Sequence, residues 1–268
     1  MTNYPSSLVS DLLAAAHAAA DAARNVTLSH FRSDIRAENK LQGGFDPVTI
    51  ADRGAEDAIR KVLADLRPDD AVLGEEMAQV AGTSGLTWVI DPIDGTRAYI
   101  SGAPTWGTLI GITDADGVII GMIDQPYIGE RFVGGPDGAQ CLGPRGTRTL
   151  ATRQTDRLDQ ATIFTTFPEV GTKREGAAFA DLAGRCKLTR YGMDCYAYAL
   201  LAHGCVDLVV EAGLNPYDIV GPIGVVQAAG GIVTDWRGGP AHPGGRAVAA
   251  ANSALHEQAL AVLSKVAT

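Results

Sequence analysis

Apolar residues recur at helical spacing from residue 6 to residue 31, interleaved with polar positions such as Asp11, His17, Asp21 and Arg24. That rhythm, rich in alanine, predicts a long amphipathic helix. Over residues 36–45 it gives way to polar residues and a Gly43-Gly44 pair, the composition of a loop. Asp46-Pro47-Val48-Thr49 then leads into a second helix, with Thr49 or Asp52 as its cap, that runs to Leu66 and stops at Arg67-Pro68. Short β-like runs follow at 71–73, 87–90, 105–113, 118–124, 131–133 and 139–142, and Asp114-Ala115-Asp116-Gly117 reads as a hairpin turn. The first half is therefore expected to pack two helices on a largely antiparallel sheet.

After Gln154 the pattern alternates. Strands are expected at 162–166, 187–191, 206–211, 231–234 and 247–251, and helices at 173–185, 196–203, 217–229 and from Ser253 onward. This is the rhythm of a second sheet covered by helices. A boundary near residue 150 divides the chain into an N-terminal α+β lobe, 1–150, and a C-terminal α/β lobe, 151–268.

Composition narrows the chemistry. The chain has 268 residues, 46% hydrophobic and 20% charged, enough to bury a sizeable core. A net charge of −9 without a Lys/Arg cluster argues against nucleic acid as a partner, though a bound cation would still allow a small phosphorylated ligand. Cys141, Cys186, Cys195 and Cys205 lack metal-ligand spacing and read as reduced thiols of a cytoplasmic protein. The alanine-rich N-terminal run is broken by charges, so neither a signal peptide nor a membrane span is expected.

The densest chemistry lies in Trp88-Val89-Ile90-Asp91-Pro92-Ile93-Asp94-Gly95-Thr96. An apolar strand delivers two carboxylates three residues apart, and Pro92 and Gly95 are expected to set both on a sharp turn outside the sheet. Acids held that close ask for a divalent cation, and the backbone amides of Gly95-Thr96-Arg97, at a possible helix start, suit an anion. Further acids accompany them. Glu75 and Glu76 follow a short strand, Asp218 lies at a probable helix start, and Asp46 and Asp52 flank Pro47-Val48-Thr49. Read singly, Asp52 and Asp218 are also ordinary helix-capping acids, and Glu75 and Glu76 ordinary loop acids.

In order and spacing, Gly74-Glu75-Glu76, Asp91-Pro92-Ile93-Asp94-Gly95-Thr96, Pro216-Tyr217-Asp218 and Ala228-Ala229-Gly230-Gly231 resemble the inositol monophosphatase family, as does the segment from Asp46 to Asp52. The resemblance implies a layered α-β-α-β-α sandwich, a homodimer and a Mg²⁺-dependent, lithium-sensitive phosphomonoesterase with two or three ions per site. Carried over, it makes Glu75, Asp91, Asp94, Asp218 and the Ile93 carbonyl the metal ligands. Gly95 and Thr96 amides hold phosphate, and Asp52, Thr96 and Glu75 are the catalytic set that serves an attacking water. Lys40 matches a mobile segment of some relatives, and is equally a solvated lysine.

The stretches 96–109 and 191–201 are similar to the histidinol-phosphate phosphatase branch of that family. Its substrate carries an ammonium group and an imidazole, so its pocket needs carboxylates not committed to metal. Asp194 and Glu211 are the candidates, with Asn215 and Arg190 on the same wall. Asp194 is also a plausible helix cap. An inositol phosphate pocket would use acids too, to accept from hydroxyls, and Trp106 fits either beneath the site or at a subunit contact. A non-catalytic metal- and phosphate-binding regulator would dispense with Asp52 or Thr96, and both are present.

Overall fold

A computed structural model describes residues 4–33, 38–39 and 47–266. The expected first helix is α1 (Ser6–His30); α2 (Ile50–Leu66) is the second. Between them the short strands β1 (Glu38–Asn39) and β2 (Pro47–Val48) pair antiparallel. The first large sheet comprises β3 (Ala71–Gly74), β4 (Thr87–Asp94), β5 (Gly107–Asp114), β6 (Gly117–Gln125), β7 (Glu130–Gly135), β8 (Gly138–Gly143) and β9 (Gly146–Thr149) in spatial order. Only the β3–β4 pair is parallel; the others follow one another as antiparallel neighbours. A five-residue helix, α3 (Thr96–Ile100), connects β4 to β5.

The second sheet runs β11–β10–β12–β14–β13, from β10 (Thr162–Thr165), β11 (Leu188–Tyr191), β12 (Leu208–Leu214), β13 (Ile232–Thr234) and β14 (Gly245–Ala250). Its helices are α4 (Lys173–Ala183), α5 (Tyr196–Ala202), α6 (Pro216–Ala228) and α7 (Ser253–Leu263).

Side-chain alternation decides how these parts stack. In β5, Ile110 and Ile112 pack with Leu12, Ala19, Ile59 and Leu63 of α1 and α2, whereas Leu109 joins Ile219, Ile223 and Val226 of α6 on the other face. In β12, Val209 turns toward that same α5–α6 cluster, while Leu208 and Val210 pack with Phe179 of α4 and Leu255 of α7. The order is helices, seven-stranded sheet, helices, five-stranded sheet, helices: the expected α-β-α-β-α sandwich. Helix α6 lies between two sheets, which is why Ile219 through Val226 are all buried and no polar stripe runs along it.

Two expectations need correction. The strand expected to end at Ile90 continues to Asp94, so Asp91 lies within the sheet, paired with Leu109. Strand β9 was not anticipated, because its four residues are all exposed and show no apolar alternation; it exists by pairing with β8 at the sheet edge. The hairpin at Asp114–Gly117 forms as expected, with Asp114 Oδ1 accepting from the Asp116 and Gly117 amides.

Candidate active site

The end of β4 is a bulge. Asp91 pairs with Leu109 and Asp94 with Gly107, leaving Pro92 and Ile93 outside the regular ladder. Asp91 Oδ1 accepts from the Ile93 amide at 2.9 Å, and Thr108 Oγ1 donates to the Pro92 carbonyl at 2.8 Å. Pro92 therefore sits where its missing N–H costs nothing. Gly95 follows in the left-handed region, φ +82°, and turns the chain into α3.

Neighbouring elements add two more acids. The parallel register pairs Gly74 with Ile90, so the next residues, Glu75 and Asp91, stand side by side and their carboxyl groups hydrogen-bond. Asp218 comes from the first turn of α6, where its Oδ2 accepts from the Asn215 amide at 2.6 Å. It caps the helix and also faces the site. Carboxylate oxygens of Asp91, Asp94 and Asp218 lie within 4.8 Å of one another. Burial, then the charges of Glu75, Asp94 and Asp218, push the Asp91 carboxyl well above its ordinary range. Burial and the charges of Asp194 and Asp218 do the same to Asp94, partly offset by the Cys195 amide donating to Asp94 Oδ2 at 2.7 Å. All-oxygen donors crowded against their own repulsion fit a hard divalent cation such as Mg²⁺.

Asp52 lies beneath this cluster, fully buried. Its Oδ2 accepts from the Thr49 amide at 2.7 Å and the Thr49 hydroxyl at 2.6 Å, closing the start of α2. Its Oδ1 is 3.3 Å from Thr96 Oγ1, which also lies 3.1 Å from the Ile93 carbonyl. One hydroxyl proton can serve only one of these acceptors at a time. The cap and the Thr96 contact thus use different oxygens of one carboxylate.

The acids open onto a cavity of about 280 Å³ whose far wall carries Thr166, Phe167, Asp194, Tyr198, Glu211 and Asn215. Glu211 Oε1 accepts from the Thr166 amide at 2.7 Å and the Thr166 hydroxyl at 2.9 Å; Oε2 accepts from Thr165 Oγ1 at 3.2 Å. Despite these donors, burial pushes its carboxyl up to about 7. Asp194, at φ +46°, accepts from Thr105 Oγ1 at 2.9 Å, and burial raises it against the opposing pull of Thr105 and Arg97. A Cβ on Gly95 would come within 2.8 Å of Asp194 Cγ, so the turn after β4 and the wall interlock through a glycine. Asp194 does not serve as a helix cap: Cys195 is the N-cap of α5.

Other expected residues lie elsewhere. Arg190 is exposed on the edge strand β11 and does not line the cavity. Strand β11 is the outermost of its sheet, an edge position that sequence order alone does not reveal. Trp106 is completely buried against Phe31 and Tyr99, with ring centroids at 5.2 and 4.8 Å, leaving no surface for a subunit contact. Lys40 and Asp46 lie outside the described residues.

Arg97, Tyr198 and Phe167 are among the cavity residues that were missed. Arg97 stacks over Phe167 at 4.9 Å and bridges the two halves of the rim. Tyr198 lines the cavity, yet its hydroxyl is buried with no hydrogen-bond partner among the described residues. A usable signal existed for Phe167, which follows the end of a parallel strand, where open sheets bind ligands. Among the described residues the four cysteines form no disulfide, and no helix is long and apolar enough to cross a membrane.

The sequence profile of the inositol monophosphatase family matches residues 8–268. The chain belongs to that family. It is 37% identical over 262 residues to the chloroplastic bifunctional phosphatase IMPL2 of Arabidopsis thaliana, spanning 92% of this chain and 73% of that protein. It is 36% identical over 264 residues to a histidinol-phosphatase of Streptomyces coelicolor, with 95% and 97% covered. Among solved structures, an inositol monophosphatase from Zymomonas mobilis superposes with a TM-score of 0.84 at 37% identity, covering 95% of this chain and 98% of that one. The inositol monophosphatase family is a family of metal-dependent phosphatases, and the acid cluster described above is in keeping with that chemistry.

Proposed function

We propose that this phosphatase hydrolyses L-histidinol phosphate to L-histidinol and phosphate, in histidine biosynthesis. The observation that carries the reading is the pair Asp194 and Glu211, a half-buried and a buried carboxylate that line the cavity outside the cluster of Asp91, Asp94 and Asp218. An ammonium group and an imidazole N–H are the complements such a wall asks for. Asn215 on the same wall, and Phe167 beneath Arg97 at the rim, suit a flat polar ring. The 36% identity to a protein named histidinol-phosphatase supports the same reading.

In this reading Glu75, Asp91, Asp94, Asp218 and the Ile93 carbonyl hold two or three Mg²⁺ ions. When bound, the metal supplies positive charge for the phosphate oxygens and makes a water more acidic. Asp52 and Thr96 do the protein's part of the hydrolysis. The Thr96 hydroxyl, donating to Asp52, keeps its lone pairs for the attacking water, and Asp52 receives the proton. Gly95 and Thr96 amides, which α3 leaves without intrahelical acceptors, hold the phosphate. Attack is in line: a P–O bond to water forms as the ester P–O bond breaks, and the leaving alkoxide takes a proton. The same reading carries a homodimer and a cytoplasmic location, as the family resemblance implies.

A second reading, inositol 1-phosphate as substrate, draws support from the likeness to the Zymomonas mobilis inositol monophosphatase. Both carboxylates of the wall would then accept from ring hydroxyls. Phosphate release from the two esters at matched concentrations with Mg²⁺ separates the readings. The expected result is a higher kcat/KM for histidinol phosphate, and the reverse order would overturn the assignment.

A further inference from the structure

Glu56 is fully buried, and the roles proposed above leave its carboxylate unused. It lies on α2 one turn after Asp52, so both acids project from one face of the helix. Its partners belong to the turn that follows β3. Oε2 accepts from the Glu76 amide at 2.7 Å, and Oε1 from the Met77 amide at 3.1 Å. Arg60, a further turn along α2, donates to Oε1 at 2.8 Å and to the Met77 carbonyl at 3.3 Å, closing a ring of hydrogen bonds. Gly74 lies directly against the carboxylate, where any Cβ would overlap Glu56. Glycine is required there by close approach and not by its backbone angles.

Glu75 is the residue between Gly74 and Glu76, so Glu56 grips the chain on both sides of it. The charge-assisted bond from the Glu76 amide fixes the peptide plane that leaves Glu75, and the bond from the Met77 amide fixes the plane after it. A buried ion pair is a poor device for stability, since an apolar pair of equal volume does as well or better. The pair Glu56–Arg60 makes sense as a device for geometry. Helix α2 thereby touches both halves of the acid site: Asp52 reaches Thr96, and Glu56 reaches the Glu75 turn.

We propose that Glu56 is a positioning residue for the metal site, holding the turn after β3 so that the Glu75 carboxylate lies against Asp91. The proposal rests on the reading that Glu75 holds metal. Calorimetric titration with Mg²⁺ alone tests it on the full chain, comparing the unaltered protein with Glu56→Gln, which preserves shape but can no longer accept from both amides. The expected result is Mg²⁺ binding weakened by about 10- to 100-fold. Saturating Mg²⁺ should also restore most of kcat, which a general loss of structure would not permit. Equal Mg²⁺ affinity in the two proteins would overturn the proposal. Should Glu56→Gln fail to fold, Gly74→Ala decides, because its new methyl displaces the same carboxylate; unweakened Mg²⁺ binding there would overturn the proposal too. Absence of Mg²⁺ binding by the unaltered protein would instead overturn the metal reading beneath it.

Discussion

Both sides of the cavity are lined by carboxylates, but they are assembled by different means. At the acid cluster, Glu75 and Asp91 are juxtaposed by one parallel strand register, and Asp91 and Asp94 by one bulge. Asp91 and Asp94 are each raised by acidic neighbours as well as by burial. On the opposite wall, Glu211 has its own neutral donors, Thr165 and Thr166, and Asp194 has Thr105. Burial is the first cause of their shifts, and neighbouring acids contribute little or nothing. Under the proposed function the same side-chain chemistry serves two ends: the crowded acids would hold metal, and the separated acids would meet a cationic substrate.

The sharpest way to break the comparison is Asp94→Asn. It should lower kcat by about a thousandfold, because a lost charge at the metal site acts on the transition state directly. Cooperative unfolding without Mg²⁺ should persist, since relief of repulsion offsets the altered contact to Cys195. Phosphate release and thermal unfolding check the two halves, and near-normal turnover would remove Asp94 from the site.

Glu211→Gln should act differently. The KM for histidinol phosphate should rise about tenfold with kcat little changed, the loss expected for one hydrogen bond to a charged group. The KM for p-nitrophenyl phosphate, which has no cation, should not move. An equal rise for both esters would assign Glu211 to the acid cluster and erase the contrast.

The same variant carries a pH signature. Glu211 titrates near 7 in the folded protein against an ordinary value of 4.5. Between those values the native state keeps a proton that the unfolded chain releases, so this group's contribution to stability falls as pH rises from 4.5 through 7. Glu211→Gln abolishes that loss. The variant should therefore gain in unfolding temperature relative to the parent as pH rises through this window, then level off. A difference independent of pH would refute the burial argument.

Tyr198→Phe should have the smallest effect on stability. Removing a buried hydroxyl that has no partner should leave the unfolding temperature unchanged, or raise it by the equivalent of about 1 kcal/mol. A clear fall would mean that the hydroxyl is bonded in the folded protein.

Legibility followed the range of the interactions. Both long helices were readable, because α1 and α2 each carry a sustained apolar stripe and α2 opens with Thr49 and Asp52 as a capping pair. The acids around the cavity were also readable, since Glu75, Asp94 and Asp218 each stand where an element begins or ends and Asp91 is three residues before Asp94. What escaped had no local trace. Asp91 stayed in the sheet because β5 supplies a partner, Leu109, and Pro92 could be absorbed as a bulge. Arg190 was assigned to the wall, yet its place on the edge strand β11 leaves it exposed and away from the cavity. Glu56 looked like any acid on a helix until the turn at residues 74–77 folded over it.

By itself the sequence determined the types of the longer elements, the layered class and the acids of the cluster, because caps, periodicity and strand ends are written within a few residues of one another. Which acids would share a cavity was decided only in three dimensions. Helix α6 lies between the two sheets and brings Asp218 to acids more than a hundred residues away, and the loop after β10 and the middle of β12 set Phe167 and Glu211 across from them. Packing of apolar faces selects those distances, and no spacing along the chain encodes them.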